Sequence, residues 1–225
     1  MYTAPVSVTS TRTLTAIAYR SGWTTSSVKS ATYTIHSPLP LDMVLVTGGT
    51  FQMGSDAGDS DEQPVHSVTV SSFLIGKYEV TQAQYQTVIG SNPSYFTSGA
   101  DAPNRPVDRV TWYDAIAFCN SLSALDGFSA VYVVNGDSVT ANWTADGYRL
   151  PTEAEWEFAS RGGTASQGYT YSGSNIADDV AWYDPNSGDS THPVGTKGAN
   201  ELGIHDMSGN LREWCWEIGR ASCRE

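Results

Sequence analysis

Two kinds of periodicity share this chain. Thr13-Leu14-Thr15-Ala16-Ile17-Ala18-Tyr19 and Ala31-Thr32-Tyr33-Thr34-Ile35 alternate polar and apolar positions with period two, and Ser21-Gly22 lies between them as a turn signal. Period two is the spacing of a strand with one half-buried face, so both runs predict β-strands. A lone pair of strands is marginal in water. Residues 1–37 therefore read either as the C-terminal piece of a β-sandwich or as a generic hairpin. Met43-Val44-Leu45-Val46 and the run Val65 to Val70 predict two more strands. Helical spacing begins at Thr81. Thr81-Gln82-Ala83-Gln84 fits a capping box, with Tyr85, Val88 and Ile89 as the apolar stripe before Gly90. Trp112, Ala115, Ile116, Cys119 and Leu122 recur at helical spacing between Thr111 and Gly127. Thr152-Glu153-Ala154-Glu155 is a second capping box, with Trp156 and Ala159 facing inward and Gly162-Gly163 as the stop. Residues 163–210 show neither period and are rich in Gly, Ser, Asn and Asp. So long an irregular stretch needs something to order it, and a bound cation is the simplest agent.

Composition narrows the picture. Of 225 residues, 40% are hydrophobic and 16% charged, which excludes a disordered acidic tail and a coiled coil. The chain carries 24 acidic and 12 basic residues, a net charge of −12. Such a body repels phosphate backbones, which argues against nucleic acid as a partner, while carboxylates remain good ligands for calcium. The counts of Gly (21), Trp (7) and Tyr (12) fit a loop-rich fold pinned by aromatic side chains. Residues 1–41 hold no Asp or Glu and three basic groups, Arg12, Arg20 and Lys29, so all the negative charge falls beyond them. That shift, with His36-Ser37-Pro38-Leu39-Pro40, marks a module boundary. The expected organisation is a partial β-sandwich module at 1–37, a linker at 38–42 and a main domain at 43–217. Residues 218–225 follow an aromatic motif abruptly, without hydrophobic period, and are set aside as a non-native tail. No apolar run approaches the ~20 residues of a membrane span, and no signal peptide is visible. Cys119, Cys215 and Cys223 are too few for a disulfide framework.

The stretch most suggestive of chemistry is Gly203-Ile204-His205-Asp206-Met207-Ser208-Gly209-Asn210-Leu211-Arg212-Glu213-Trp214. Asp206 and Glu213 flank a glycine turn, and the carbonyls of Gly209 and Leu211 can join them as oxygen ligands for calcium. The alternative is a turn in which the two carboxylates cap backbone amides, and spacing alone favours it. The EF-hand pattern is absent. The acidic run Asp56, Asp59, Asp61, Glu62 reads as a solvated loop. His66 has no second His at metal spacing and reads as structural. Glu155 is explained by its cap and suits a helix N-terminus, as do its neighbours Glu153 and Glu157. Cys119 sits on an apolar stripe and Cys215 between two tryptophans, both expected as packing residues.

Several blocks together resemble the formylglycine-generating enzymes, also called sulfatase-modifying factors. They are Met43-Val44 through Gly48-Gly49-Thr50-Phe51-Gln52-Met53-Gly54-Ser55; Glu62-Gln63-Pro64-Val65-His66; Lys77-Tyr78-Glu79-Val80-Thr81; and Arg105-Pro106-Val107 with Val110-Thr111-Trp112-Tyr113-Asp114-Ala115. Tyr148-Arg149-Leu150-Pro151-Thr152-Glu153-Ala154-Glu155-Trp156-Glu157, His192-Pro193-Val194-Gly195 and the stretch 203–214 complete the series, in family order. Arg212 departs from the aromatic residue usual before the Glu-Trp pair. The resemblance implies an α+β, C-type-lectin-like fold with little regular secondary structure. Ahead of it, residues 1–37 resemble the end of a bacterial immunoglobulin-like module, a β-hairpin fragment of a β-sandwich. It implies structural calcium at Asp206, Gly209, Leu211 and Glu213, and a second site begun by Asn175 and Ile176 and closed by Asn186. Family enzymes use oxygen and a copper ion held by two cysteine thiolates to oxidise a sulfatase cysteine to formylglycine. Soft thiolates suit Cu(I). Those two cysteines belong downstream of the Glu-Trp motif, so no catalytic residue is assigned within this chain, and whether the protein is an enzyme stays open. The expected partner is a sulfatase or another cysteine-containing polypeptide, with further β-sandwich modules in the same protein. The expected location is exported bacterial: periplasmic, cell-surface or secreted. The competing expectation is a non-catalytic lectin-like binding or scaffold module, since fold does not guarantee chemistry. Sugar binding through surface Trp and Tyr is a third.

Overall fold

The computed structural model describes residues 12–16, 21–22, 24–33, 41–60, 62–217 and 221–222. The chain divides into two units, Met1–Leu39 and Pro40–Glu225. In the first, β1 (Arg12–Ala16) and β2 (Lys29–Tyr33) pair antiparallel, with Arg12 opposite Tyr33 and Ala16 opposite Lys29. Residues 17–19 and 34–35 of the two expected strands lie outside the described residues, as does the rest of the expected β-sandwich module.

The second unit begins with β3 (Met43–Val46), β4 (Gly49–Met53), β5 (His66–Val70) and β6 (Phe73–Gly76). They form two nested two-stranded antiparallel sheets, β4 with β5 inside β3 with β6. Val46 and Val70 turn into the core, while Leu45 and Leu74, directly opposite each other, face out. Helix α1 (Gln82–Ile89) starts at the expected capping box: Thr81 accepts from the Gln84 N–H, and the Gln84 side chain accepts from the Thr81 N–H at 2.8 Å. Helix α2 (Trp112–Asp126) has a capping box that periodicity did not reveal, Thr111 with Asp114, and ends at Gly127 with φ 79°. It buries Trp112, Ile116, Cys119 and Leu122 of the stripe read from the sequence, while Ala115 is half-buried. A hairpin follows, β7 (Tyr132–Asn135) with β8 (Ser138–Ala141). Helix α3 (Glu153–Ser160) carries the Thr152–Glu155 capping box and buries Trp156, Phe158 and Ala159.

Beyond α3 the regular elements shrink to single turns: α4 (Ala177–Val180), α5 (Asp184–Ser187) and the two-residue strands β9 (Glu213–Trp214) and β10 (Ala221–Ser222). β10 lies in the segment set aside as a non-native tail, yet it pairs antiparallel with β9, Ala221 opposite Trp214. Polar side chains take over the work of backbone ladders here. Asn200 is 6% exposed. Its Nδ2 donates to the Ala159 carbonyl and Ser172 Oγ, and its Oδ1 accepts from the Leu202 and Ile204 amides. Buried backbone groups must be satisfied somewhere, and one asparagine does this for two separate segments while also holding the Ser172 hydroxyl.

The core has two clusters. One joins Val46, Val70, Trp156, Phe158, Ala159, Ile204, Met207 and Cys215; the other joins Trp112, Ile116, Cys119, Val131 and Tyr132. Among the described residues, no helix is long and apolar enough to cross a membrane.

Candidate metal centre

Asp206, Gly209, Leu211 and Glu213 lie on one turn that links the buried Ile204 to β9. The turn is built from two left-handed residues, Asp206 at φ 63° and Asn210 at φ 68°. Asn and Asp tolerate that region better than other side chains because their short polar groups bond locally. Gly209 is not left-handed. A Cβ on it would lie 2.2 Å from the Trp182 carbonyl oxygen, so glycine is required by the close approach of two backbones and not, as the sequence reading had it, by a tight turn.

Asp206 is 3% exposed. Its Oδ2 accepts from the Gly195 N–H at 2.7 Å, while its Oδ1 is buried without a hydrogen-bond partner. Glu213 Oε2 accepts from the Trp156 indole N–H at 3.1 Å. The amide-capping alternative thus holds for one oxygen of Asp206 and leaves the other unused.

A third carboxylate, which sequence reasoning missed, joins them. Glu79 follows β6 within the Lys77–Thr81 block. Its Oε2 accepts from Asn210 Nδ2 at 2.7 Å, and its Oε1 is buried and unpartnered. A signal was available: Glu79 is a lone acid between Tyr78 and Val80, in a stretch otherwise suited to the interior, and buried acids are rare without a partner.

The electrostatics agree. Burial pushes the Glu79 carboxyl well above its usual range, and the nearby Glu213 and Asp206 push it further, against hydrogen bonds from Asn210 and the Leu211 backbone. Burial raises Glu213 to about 7; Asp206 adds to the rise and the Trp156 indole opposes it. Asp206 is raised by burial, against the Gly195 amide and His205. A largely apolar pocket of about 230 Å³, walled by Tyr85, Phe118, Leu122, Leu150 and Trp214, borders Glu79 and Glu213. These carboxylates repel one another, but no three His, Cys, Asp or Glu side chains among the described residues form a ready cage for a metal ion. A cation here needs carbonyl oxygens to complete its shell.

The second expected set is arranged differently. Asn175 Oδ1 accepts from the Thr170 N–H at 3.0 Å and from Thr170 Oγ1 at 3.2 Å. Asn186 Nδ2 donates to Asp178 Oδ1 and the Ala181 carbonyl, and its Oδ1 accepts from the Tyr183 N–H. Ile176 is 60% exposed. Both asparagine oxygens are engaged in stapling their own loop.

Neither Cys119 nor Cys215 forms a disulfide among the described residues, and they are buried in different clusters. Burial pushes the Cys119 thiol up to about 12. Cys215 was expected beside Trp214 and Trp216. Alternation along the extended run instead points it into the first cluster while both tryptophans pack on the second. Its carbonyl accepts from the Trp112 indole N–H at 2.9 Å. His66 Nδ1 lies 2.9 Å from the Pro64 carbonyl, a local contact. Glu155 both caps α3 and pairs with Arg149 at 2.7 Å.

Comparison with known proteins places this geometry. Residues 33–222 match the sulfatase-modifying factor enzyme 1-like domain. The chaperone protein LppX of Paenibacillus barcinonensis is 47% identical over 208 residues, covering 78% of this chain and 71% of that protein. The serine/threonine-protein kinase pkn1 of Chlamydia caviae is 34% identical over 79% of this chain, which spans only 28% of that protein's length. A formylglycine-generating enzyme of Mycobacterium tuberculosis is 30% identical, over 77% of this chain and 73% of that enzyme. Among solved structures, Treponema denticola variable protein 1 superposes with a TM-score of 0.72 at 34% identity, covering 91% of this chain and 76% of that one.

Proposed function

Because the chain belongs to the sulfatase-modifying factor family, we propose that it is a calcium-stabilised domain that engages a cysteine-containing polypeptide, the substrate class of formylglycine-generating enzymes. Its fold is the α+β, C-type-lectin-like one of that family, with short elements and long ordered loops. The observation that carries the calcium reading is the turn around Asp206: a buried carboxylate oxygen without a partner, beside two further carboxylates that burial holds above their usual range. A cation is the ordinary remedy for charge held in a dry site. Calcium accepts mixed shells of carboxylate, carbonyl and water oxygens, which suits a site without a side-chain cage. Asp206 and Glu213 would hold it with the carbonyls of Gly209 and Leu211, and Glu79 would add negative potential. Calcium would supply charge neutralisation and order, not chemistry. For Asn175, Ile176 and Asn186 the calcium reading rests on resemblance alone.

The family reaction oxidises a peptidyl cysteine of a sulfatase to formylglycine, and copper bound by two thiolates supplies its redox chemistry. Cys119 and Cys215 do not fit that group: they are buried in separate clusters, and the Cys119 thiol resists ionisation. Cys223 lies outside the described residues. A second reading, a non-catalytic binding or scaffold module, is favoured by the 47% identical relative named a chaperone. Export, whether periplasmic, cell-surface or secreted, belongs to both readings.

The test incubates the protein with a sulfatase-derived peptide containing its cysteine, with copper and oxygen, and follows the peptide by mass spectrometry and binding. Conversion of the cysteine to an aldehyde establishes the oxidase. Binding of an unchanged peptide establishes the module. A peptide neither bound nor converted removes both.

A further inference from the structure

Asn210 connects more segments than any ligand role requires. Its backbone N–H donates to the Trp182 carbonyl at 2.7 Å. Its Oδ1 accepts from the His192 N–H at 2.9 Å, and its Nδ2 donates to the His192 carbonyl at 3.1 Å and to Glu79 Oε2 at 2.7 Å. Two other contacts run in parallel. The Gly195 N–H donates to Asp206, and Gly209 lies flat against the Trp182 backbone. Residues 182–197 are therefore built upon the carboxylate turn at three places. Their outward side is an ordered stack: the Trp182 and His192 rings lie 3.7 Å apart, and the Lys197 ammonium sits 4.3 Å from the Trp182 ring centre.

We propose that Asn210 is a positioning residue that couples cation binding at the Asp206–Glu213 turn to the order of residues 182–197. The physical reason is shared geometry. Asn210 forms all four bonds while it holds a left-handed backbone conformation, φ 68°. Asp206 Oδ1, in the same turn, and Glu79 Oε1, on the carboxylate bonded to Asn210, are buried without a hydrogen-bond partner. A cation that satisfies these oxygens holds the turn closed, and the loop bonded to it is ordered in the same event. The proposal rests on the calcium reading above and adds a consequence that reading does not contain.

Hydrogen exchange read by mass spectrometry tests it on the whole chain, with calcium chloride as the probe and a chelator as the reference, alongside calorimetric titration. In the unmodified protein, calcium should slow exchange across 182–197 by about tenfold, with a half-point at the calcium concentration where the heat of binding is half complete. Asn210→Gly keeps the left-handed backbone and removes the side chain. It should still bind calcium, keep the protection of α2 (Trp112–Asp126), and lose most of the calcium-dependent slowing in 182–197. A purely structural asparagine would lower protection equally with and without calcium, and that result overturns the proposal. So does exchange in 182–197 of the unmodified protein that ignores a calorimetrically proven calcium, a readout that stands even if Asn210→Gly does not fold. Absence of any heat of binding removes the calcium reading and the coupling with it.

Discussion

Residues 43–160 and residues 163–213 are held together by different means. In the first stretch, four strands in nested sheets, a hairpin and three capped helices satisfy the backbone locally, and apolar side chains do the rest. In the second, single-turn helices leave most backbone groups without a ladder, and Asn175, Asn186, Asn200, Asp206 and Asn210 serve them through their side chains. Irregular structure is thus compatible with order, provided that polar side chains are buried in the right places. The consequence is sensitivity. A helix loses little when one surface residue changes, whereas a buried asparagine bonded to several segments has no substitute. Where the buried polar groups are acids, the region also becomes responsive to protons and cations.

The largest expected effect lies on the regular side. Ile116 is 0% exposed, so Ile116→Ala should destabilise the domain by about 4 kcal/mol in chemical denaturation. The loss should be the same with calcium and with chelator; a calcium-dependent loss would break the distinction between the two stretches. The next effect is a pH response of the irregular side. Glu213 is raised from an ordinary 4.5 to about 7 in the folded protein, so the folded state holds its proton more tightly than the unfolded chain does. Without calcium, the stabilisation is complete below pH 4.5 and is lost as pH rises through 7. The loss from this group is about 3 kcal/mol, read from denaturation midpoints across that range. Calcium should abolish the decline by taking the proton's place, and Glu213→Gln should reduce it in chelator, Glu79 and Asp206 supplying the remainder. A steady or rising stability between these pH values would remove the buried-acid account.

Asn200→Ala should cost roughly 2–3 kcal/mol, since it strands the buried Ile204 amide. A loss below about 0.5 kcal/mol would show that water replaces the side chain without penalty. Glu213→Ala should lower the melting temperature in calcium buffer and erase the difference between calcium and chelator; an unchanged difference removes Glu213 from the site. The smallest effect is Thr152→Ala, which deletes one cap of α3 and should cost about 1 kcal/mol, alike at any calcium concentration.

The legible parts of this protein were those with a short-range signature. Capping boxes at Thr81 and Thr152 and the stripe on α2 are written within a few residues, because a helix is a local object. The Asp206-to-Glu213 turn was visible as a motif, and its resemblance to a family supplied a role that spacing alone left open. Glu79 was not visible as a site residue. It lies more than a hundred residues from Asp206 and Glu213, and its neighbours Tyr78 and Val80 mark an acid in an apolar setting without naming its partners. Gly209 was recognised for the wrong reason, because the Trp182 backbone that forbids a Cβ is distant in sequence. The alternation that separates Cys215 from its flanking tryptophans is local, but which cluster each enters is not.

The amino-acid sequence alone determined the class of fold, the three longer helices and the family, since each follows from local periodicity or from motif order along the chain. Only the tertiary structure decided which carboxylates share one dry pocket, which of their oxygens lack partners, and that Asn210 ties that pocket to residues 182–197. Those are matters of long-range proximity and of water exclusion. Burial changes the charge state of an acid, and burial is a property of the assembled body, not of any stretch of chain.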